Sequence, residues 1–171
     1  CVENIEFDGG IDNEGGSGQQ FNVNSAIWFG FDYGIITFPN DLRANGDMTV
    51  RNCSFKHFLC AIDIPGLGDG NINITTNIFK DLSAPLFIFD NINTKGAITN
   101  NSFSESLFYD LLIWDLDYTV LGYTFYPYSK PSTKTSWKIS GNTFNTQNFG
   151  GEFQYPNGVS IYLLDARRVF H

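Results

Sequence analysis

The chain has few basic residues and no long apolar stretch. Ten Lys and Arg face eighteen Asp and Glu among 171 residues, so the formal net charge is −8. Nucleic acids and anionic lipid surfaces are bound through a surplus of positive charge, and we therefore expect neither as a partner. No segment approaches the roughly 18 apolar residues that cross a bilayer, so we also expect no membrane span. Neutral substrates, cation-assisted binding or a protein partner fit this composition better.

Several familiar chemical sites are also missing. Three cysteines are too few for a disulfide scaffold, and two histidines form no zinc-type cluster. No glycine-rich loop with Lys is present to hold phosphate, so we expect no required cofactor. The content of 42% hydrophobic and 16% aromatic residues predicts one folded domain over residues 1–171. Because the chain opens with Cys1 and stops in an apolar run, we expect it to be a piece of a longer polypeptide.

A repeat dominates what is present. Each copy has an aliphatic residue five positions before a phenylalanine and, in most copies, a small polar residue two positions before it. The copies are Val50–Phe55, Ile74–Phe79, Ile98–Phe103 and Ile139–Phe144, with a fifth at Val2–Phe7. Phe55, Phe79 and Phe103 follow one another at intervals of 24 residues. A fixed period of this length is the signature of a solenoid.

The apolar residues alternate in short runs that Gly, Asn and Asp interrupt, which predicts strands joined by turns. Equal residues recur at equal offsets, so coils stacked in parallel would place Phe on Phe and Asn on Asn, about 4.8 Å apart. Buried Asn side chains could then hydrogen-bond from coil to coil as a ladder. Cys53 takes the ladder position of Asn77, Asn101 and Asn142, so we expect a small buried residue there.

These repeats resemble those of right-handed parallel β-helix proteins, the pectate-lyase-like superfamily, whose short repeats often have an aliphatic residue, then Asn, then Phe. The resemblance implies an all-β solenoid of about 24 residues per coil, over residues 50–144 above all. It also implies a secreted, cell-surface or virion protein, with a homo-oligomer as a candidate assembly by analogy with tailspikes. The superfamily includes polysaccharide lyases, glycoside hydrolases and non-catalytic surface proteins. Neither the Gly-His-Gly run of polygalacturonase-like hydrolases nor the Arg-x-Pro-x-x-Arg run of pectate lyases is found.

Two insertions interrupt the repeat. One covers about residues 9–20 and is a glycine-rich loop by composition. The other covers about residues 115–136 and is rich in tyrosine. Long loops of repeat proteins often carry binding, so we predict a sugar-binding surface there. Its candidate residues are Trp114, Asp115, Tyr123, Phe125, Tyr126 and Tyr128.

Charged residues follow the phenylalanines directly. The candidate catalytic residues are Lys56, His57, Lys80, Asp81 and Glu105. Stacking would bring these basic and acidic groups together, as lyases of acidic sugars or paired-carboxylate hydrolases require. They could equally be solvent-facing turn residues with compensating charges.

A second acidic set follows the other apolar strand of each coil. Asp63 and Asp90 are candidate Ca²⁺ ligands beside aromatic residues, as in a sugar-binding groove. The same aromatic residues could instead pack under the inserted loop or against a neighbouring chain.

Three functions stay open at this point. We favour an extracellular surface module that binds polysaccharide. The first alternative is a polysaccharide lyase or glycoside hydrolase of the same architecture, and the second is a non-catalytic structural stalk or adhesin.

Overall fold

The computed structural model describes residues 1–9, 25–28, 46–65, 70–89, 94–106, 109–114, 136–145, 161–164 and 169–170. Residues 10–20 of the loop at about 9–20 and residues 115–135 of the loop at about 115–136 lie outside these ranges. Within them every regular element is a β-strand, and no helix is present. In particular, the described part of the chain holds no helix of the length and apolar character that crossing a membrane requires.

The strands are short and evenly repeated. In chain order they are β1 (Val2–Glu3), β2 (Glu6–Asp8), β3 (Ser25–Trp28), β4 (Met48–Arg51), β5 (Ser54–Lys56), β6 (Cys60–Pro65), β7 (Gly70–Thr75), β8 (Ile78–Leu82), β9 (Leu86–Phe89), β10 (Thr94–Thr99), β11 (Ser102–Ser106), β12 (Leu111–Trp114), β13 (Ser136–Ser140), β14 (Thr143–Asn145), β15 (Ile161–Leu164) and β16 (Val169–Phe170).

The strands form three sheets, and successive strands along the chain go to successive sheets. The first sheet has the order β1-β4-β7-β10-β13-β16, the second β2-β5-β8-β11-β14 and the third β3-β6-β9-β12-β15. Neighbouring strands are parallel in all three sheets. The prediction of an all-β fold with strands stacked in parallel is confirmed, and this arrangement is compatible with a β-helix-like solenoid.

Like residues lie on like residues, as the period predicts. Val50 pairs with Ile74, and Ile74 with Ile98, across the first sheet. In the second sheet the five repeat phenylalanines form one stack, with ring centroids 4.9, 5.2, 4.8 and 5.1 Å apart and interplanar angles of 1° to 11°. Phe103 pairs with Phe144 despite the longer sequence between them, so the extra residues lie outside the stack. Each aromatic pair contributes about 0.5–1.5 kcal/mol beyond its buried area.

The predicted amide ladder is present. Asn77 Nδ2 donates to Asn101 Oδ1 at 3.0 Å, and Asn101 Nδ2 donates to Asn142 Oδ1 at 3.0 Å. Each of these oxygens also accepts the backbone N–H of the preceding ladder residue at 2.9 Å. At the start of the ladder Cys53 is 2% exposed and donates its backbone N–H to Asn77 Oδ1. The ladder thus satisfies polar groups that would be costly to bury unpaired.

One core lies between the sheets. It contains Val50, Ile62 and Phe79, one from each sheet, all with no exposed area. Trp137 is also fully buried, and its ring lies directly over Gly96 of the neighbouring strand. A Cβ atom on Gly96 would come within 1.9 Å of Trp137 Cε3. The smallest residue on β10 therefore makes room for the largest on β13.

Candidate functional site

The charged residues predicted after the phenylalanines do lie on adjacent strands. Lys56 pairs with Lys80 in the register of the second sheet. The next residues along the chain, His57, Asp81 and Glu105, form what we call the bend column, because the backbone bends there. The backbone N–H of His57 donates to the Asp81 carbonyl at 3.0 Å, which holds adjacent members of this column together.

The bend results from a left-handed backbone conformation at each residue of the bend column. φ is 62° at His57, 53° at Asp81 and 57° at Glu105, all in the left-handed region. The same conformation recurs between the first and second sheets, at Asn4, Asn52, Thr76, Asn100 and Gly141. Left-handed backbone costs a non-glycine residue roughly 1–2 kcal/mol. Since both turns of the chain use it on successive coils, the stacked architecture demands it, and the strain at the bend column is no separate sign of catalysis.

Both lysines are engaged in ion pairs. Lys56 Nζ lies 3.0 Å from Glu6 Oε1 and 3.3 Å from Asp8 Oδ2, and Lys80 Nζ lies 3.6 Å from Glu105 Oε1. The side-chain hydrogen bond to Glu6, followed by the hydrogen bond to Asp8, raises the pKa of Lys56 above its ordinary value. These pairs stabilise the ammonium form of Lys56.

His57 lies between two carboxylates. Its Nδ1 is 2.7 Å from Asp8 Oδ1, and its Nε2 is 3.5 Å from Asp81 Oδ2. A neutral imidazole donates from one nitrogen only, so only the imidazolium could donate to both partners. Lys56, His57 and Asp81, with Glu6 and Asp8, thus form one network of alternating charges across adjacent strands, and Lys80 forms an ion pair with Glu105 on the same sheet.

Glu6 and Asp8 are the members of this network that the sequence analysis did not name. They flank Phe7 in the first copy of the repeat, and the register places Glu6 on Ser54 and Asp8 on Lys56. The repeat at Val2–Phe7 is the signal that could have found them, since it predicts stacking on the copy that ends at Phe55.

Most of the predicted sugar-binding surface lies outside the described residues. Asp115, Tyr123, Phe125, Tyr126 and Tyr128 fall there, and so does the candidate calcium ligand Asp90. Trp114 ends β12, and its backbone pairs with Phe89 on one side and Leu164 on the other. The sugar-binding surface at this loop stays a prediction.

Asp63 lies in the middle of β6 and is an ionisable side chain that is almost fully buried. It is 9% exposed, and its Oδ1 has no hydrogen-bond partner. Burial raises its pKa from the ordinary 3.8 to about 6, while the hydroxyl of Ser25 acts weakly in the opposite direction. Ser25 Oγ is itself buried and makes no hydrogen bond of acceptable geometry. Burial is thus the larger of the two effects on the Asp63 carboxyl, and Ser25 offsets it only in part.

No group of three His, Cys, Asp or Glu side chains in the described part of the chain could hold a metal ion. Calcium needs six to eight oxygen ligands. Among the described residues, Asp63 is thus a carboxylate without a ligand set around it, and the Ca²⁺ prediction for Asp63 with Asp90 remains a prediction.

Comparison of the chain with protein-family models, with curated proteins and with solved structures found no match. The function is therefore argued from the geometry.

Proposed function

We propose that this chain is a right-handed parallel β-helix of the pectate-lyase-like type that acts as an extracellular or cell-surface module and binds polysaccharide. Three stacked parallel sheets with coil-to-coil pairing support the architecture. The function is supported by one observation on the first sheet, the arrangement of its outer side chains.

The outer side chains of the first sheet form a surface that we call the polar face. Its long polar side chains are those of Asn71, Asn73, Thr75, Lys95, Thr99 and Lys138, and Ala97 lies between Asn73 and Lys138. Thr99 Oγ1 donates to Thr75 Oγ1 at 3.1 Å, so hydroxyl groups line up from coil to coil. All six are exposed or half-exposed, and they repeat at the strand spacing of about 4.8 Å.

Such a face suits a polymer whose hydrogen-bonding groups recur along its length, as the hydroxyls of a polysaccharide do. Lys95 and Lys138 form no ion pair with any residue that the structure describes, so their ammonium groups are available to donate. Asn73, which is exposed at the centre of the face, offers both a donor and an acceptor. The polar face therefore supports binding without requiring any catalytic group.

The second candidate is a polysaccharide lyase or glycoside hydrolase, and the contacts of His57 favour it. A histidine between Asp8 and Asp81 is a plausible proton carrier. Against it stands Lys56, whose pKa is raised by its carboxylate partners. A general base must lose its proton near the working pH, so a raised lysine pKa works against proton abstraction. We therefore prefer the polysaccharide-binding module to the enzyme.

A glycan array with the full chain tests the proposal. We expect binding to at least one extended polysaccharide, weakened when Asn73 and Lys138 are both replaced by Ala and unchanged in Ser102→Ala, an exposed control on the second sheet. Loss of binding only in Tyr126→Ala would place the ligand at the 115–136 loop instead. If no glycan binds, the function is wrong, and a stalk or adhesin takes its place.

Turnover separates the module from the enzyme. The bound polysaccharide is incubated with the protein, and new chain ends are measured. Binding without new chain ends supports the module. New chain ends that disappear in Asp81→Asn would establish the enzyme and overturn our preference.

A further inference from the structure

The centre of the polar face holds a small apolar residue. Ala97 of β10 pairs with Asn73 of β7 on one side and with Lys138 of β13 on the other. Such neighbouring strands lie about 4.8 Å apart. Along β10 itself the next outward residues are Lys95 and Thr99, each about 6.6 Å from Ala97 at the rise of a parallel strand. Four longer polar side chains thus surround the half-exposed methyl group of Ala97, and we call this depression the central subsite.

The surrounding side chains offer a defined set of hydrogen-bonding groups. Lys95 and Lys138 can only donate, and neither ammonium group has an ion-pair partner among the described residues. The Asn73 amide can both donate and accept, and no described group hydrogen-bonds to it. Thr99 Oγ1 gives its proton to Thr75 Oγ1 at 3.1 Å, so it offers a ligand lone pairs only. The central subsite therefore combines donors, an acceptor and an apolar floor.

An acetamido group has the matching chemistry. Its carbonyl oxygen accepts from an ammonium or amide group, its N–H donates to a hydroxyl or amide oxygen, and its methyl group can pack on the methyl of Ala97. A protonated amine fits poorly, because it would face two ammonium groups. A carboxylate could accept from both lysines, but it has no proton to donate to Thr99 Oγ1. A hydroxyl group would leave the apolar floor uncovered.

We propose that the central subsite binds the acetamido group of an N-acetylated amino sugar, and that the polysaccharide recognised by the polar face contains such sugars. This inference rests on the proposed polysaccharide function and concerns the same face of the first sheet. The subsite lies between β7 and β13, so the sugars before and after the acetamido unit contact the polar side chains of those two strands.

Three oligosaccharides that share length and linkage test the inference. They are oligomers of N-acetylglucosamine, of glucosamine and of glucose, which carry an acetamido group, an ammonium group and a hydroxyl group at the same carbon. Calorimetry uses the full chain at slightly acidic pH, in about 0.15 M salt to screen the net charge of −8. We expect the N-acetylated oligomer to bind about tenfold more tightly than either of the others, because it alone pairs with the donors and the acceptor. If an acetamido glycan built from another sugar binds more tightly on the array, the same comparison uses that glycan before and after removal of its acetyl groups.

Two substitutions change the subsite at outward positions, away from the core. Ala97→Leu fills the floor with a longer side chain and should remove the preference for the N-acetylated oligomer. Thr99→Val keeps the shape of the side chain without its hydroxyl and should weaken binding of that oligomer alone, by about three- to tenfold. Ser104→Leu is the matched control, a small residue enlarged at a half-exposed outward position of β11 on the second sheet, and it should leave binding intact. Cooperative thermal unfolding of each variant shows that it is folded.

The outcomes separate this inference from the proposed function. Binding on the array of glycans without acetamido groups only overturns the inference and leaves the function standing. Equal or tighter binding of the glucose or glucosamine oligomer overturns it in the same way, and so does a preference that survives Ala97→Leu or is lost equally in Ser104→Leu. Absence of binding to every glycan overturns both.

Discussion

The amide ladder predicts a large loss of stability when Asn101 is replaced by alanine. Asn101 is 2% exposed and serves four hydrogen bonds through its side chain. Its Oδ1 accepts from the backbone N–H and from Nδ2 of Asn77, and its Nδ2 donates to the Ile74 carbonyl and to Asn142 Oδ1. Asn142 Oδ1 keeps a second donor, the Asn101 backbone N–H. Asn77 Nδ2 likewise keeps an acceptor, the Val50 carbonyl. Alanine would therefore take the side-chain partner from two buried polar groups, the Asn77 backbone N–H and the Ile74 carbonyl.

The magnitude follows from those two groups. A buried donor or acceptor without a partner costs about 1–3 kcal/mol, so Asn101→Ala should lower the free energy of unfolding by about 2–5 kcal/mol. Urea unfolding followed by circular dichroism measures this loss as a shift in the midpoint. Asn73→Ala is the matched control, because Asn73 is exposed on the polar face, and it should change stability by less than about 0.5 kcal/mol. A cost below about 1 kcal/mol for Asn101→Ala, or equal costs for both variants, would refute a stabilising ladder.

Three further predictions concern single positions. Gly96→Ala should lower the free energy of unfolding by about 1–3 kcal/mol, because the added Cβ would overlap the buried ring of Trp137. Urea unfolding that shows no loss of stability would contradict this packing. Thr76→Asn should raise the free energy of unfolding by about 1 kcal/mol, because φ is 57° at Thr76 and a β-branched residue tolerates this conformation poorly. Asn100 already occupies the equivalent place on the next strand. An unchanged or lower melting temperature of the variant would contradict backbone strain at Thr76. Asp63 binds its proton more tightly in the folded state, with a pKa of about 6 against 3.8, so stability should fall as pH rises from about 4 to 6 and level off above, by at most about 3 kcal/mol. Asp63→Asn should flatten this slope, and an unchanged slope in the variant would assign it to another group.

The candidate site was predictable only in part. The offsets from Phe55 and Phe79 predicted that Lys56 would lie on Lys80, because one period sets every pair of stacked neighbours. The carboxylates that hold Lys56, from Glu6 and Asp8, depend on which way side chains turn above the stack, and the period does not contain that information. The bend column shows the same limit, since a repeat pattern predicts a turn but not its left-handed backbone.

Asp63 shows a different limit of prediction from the sequence. In sequence it is an acidic residue between isoleucines, and the alternation of a strand predicts that it faces away from the core. Outward-facing acidic residues are normally solvated. Its 9% exposure in the folded chain is a property that the local sequence does not reveal.

The amino-acid sequence by itself determined the parallel stack, the phenylalanine column and the asparagine ladder, because a constant period makes residues 24 positions apart direct neighbours. Only the tertiary structure decided which charges are paired, which backbone positions are strained and which carboxylate loses its water. Those properties depend on side-chain direction and on burial by distant segments, and both are set when the whole chain is folded.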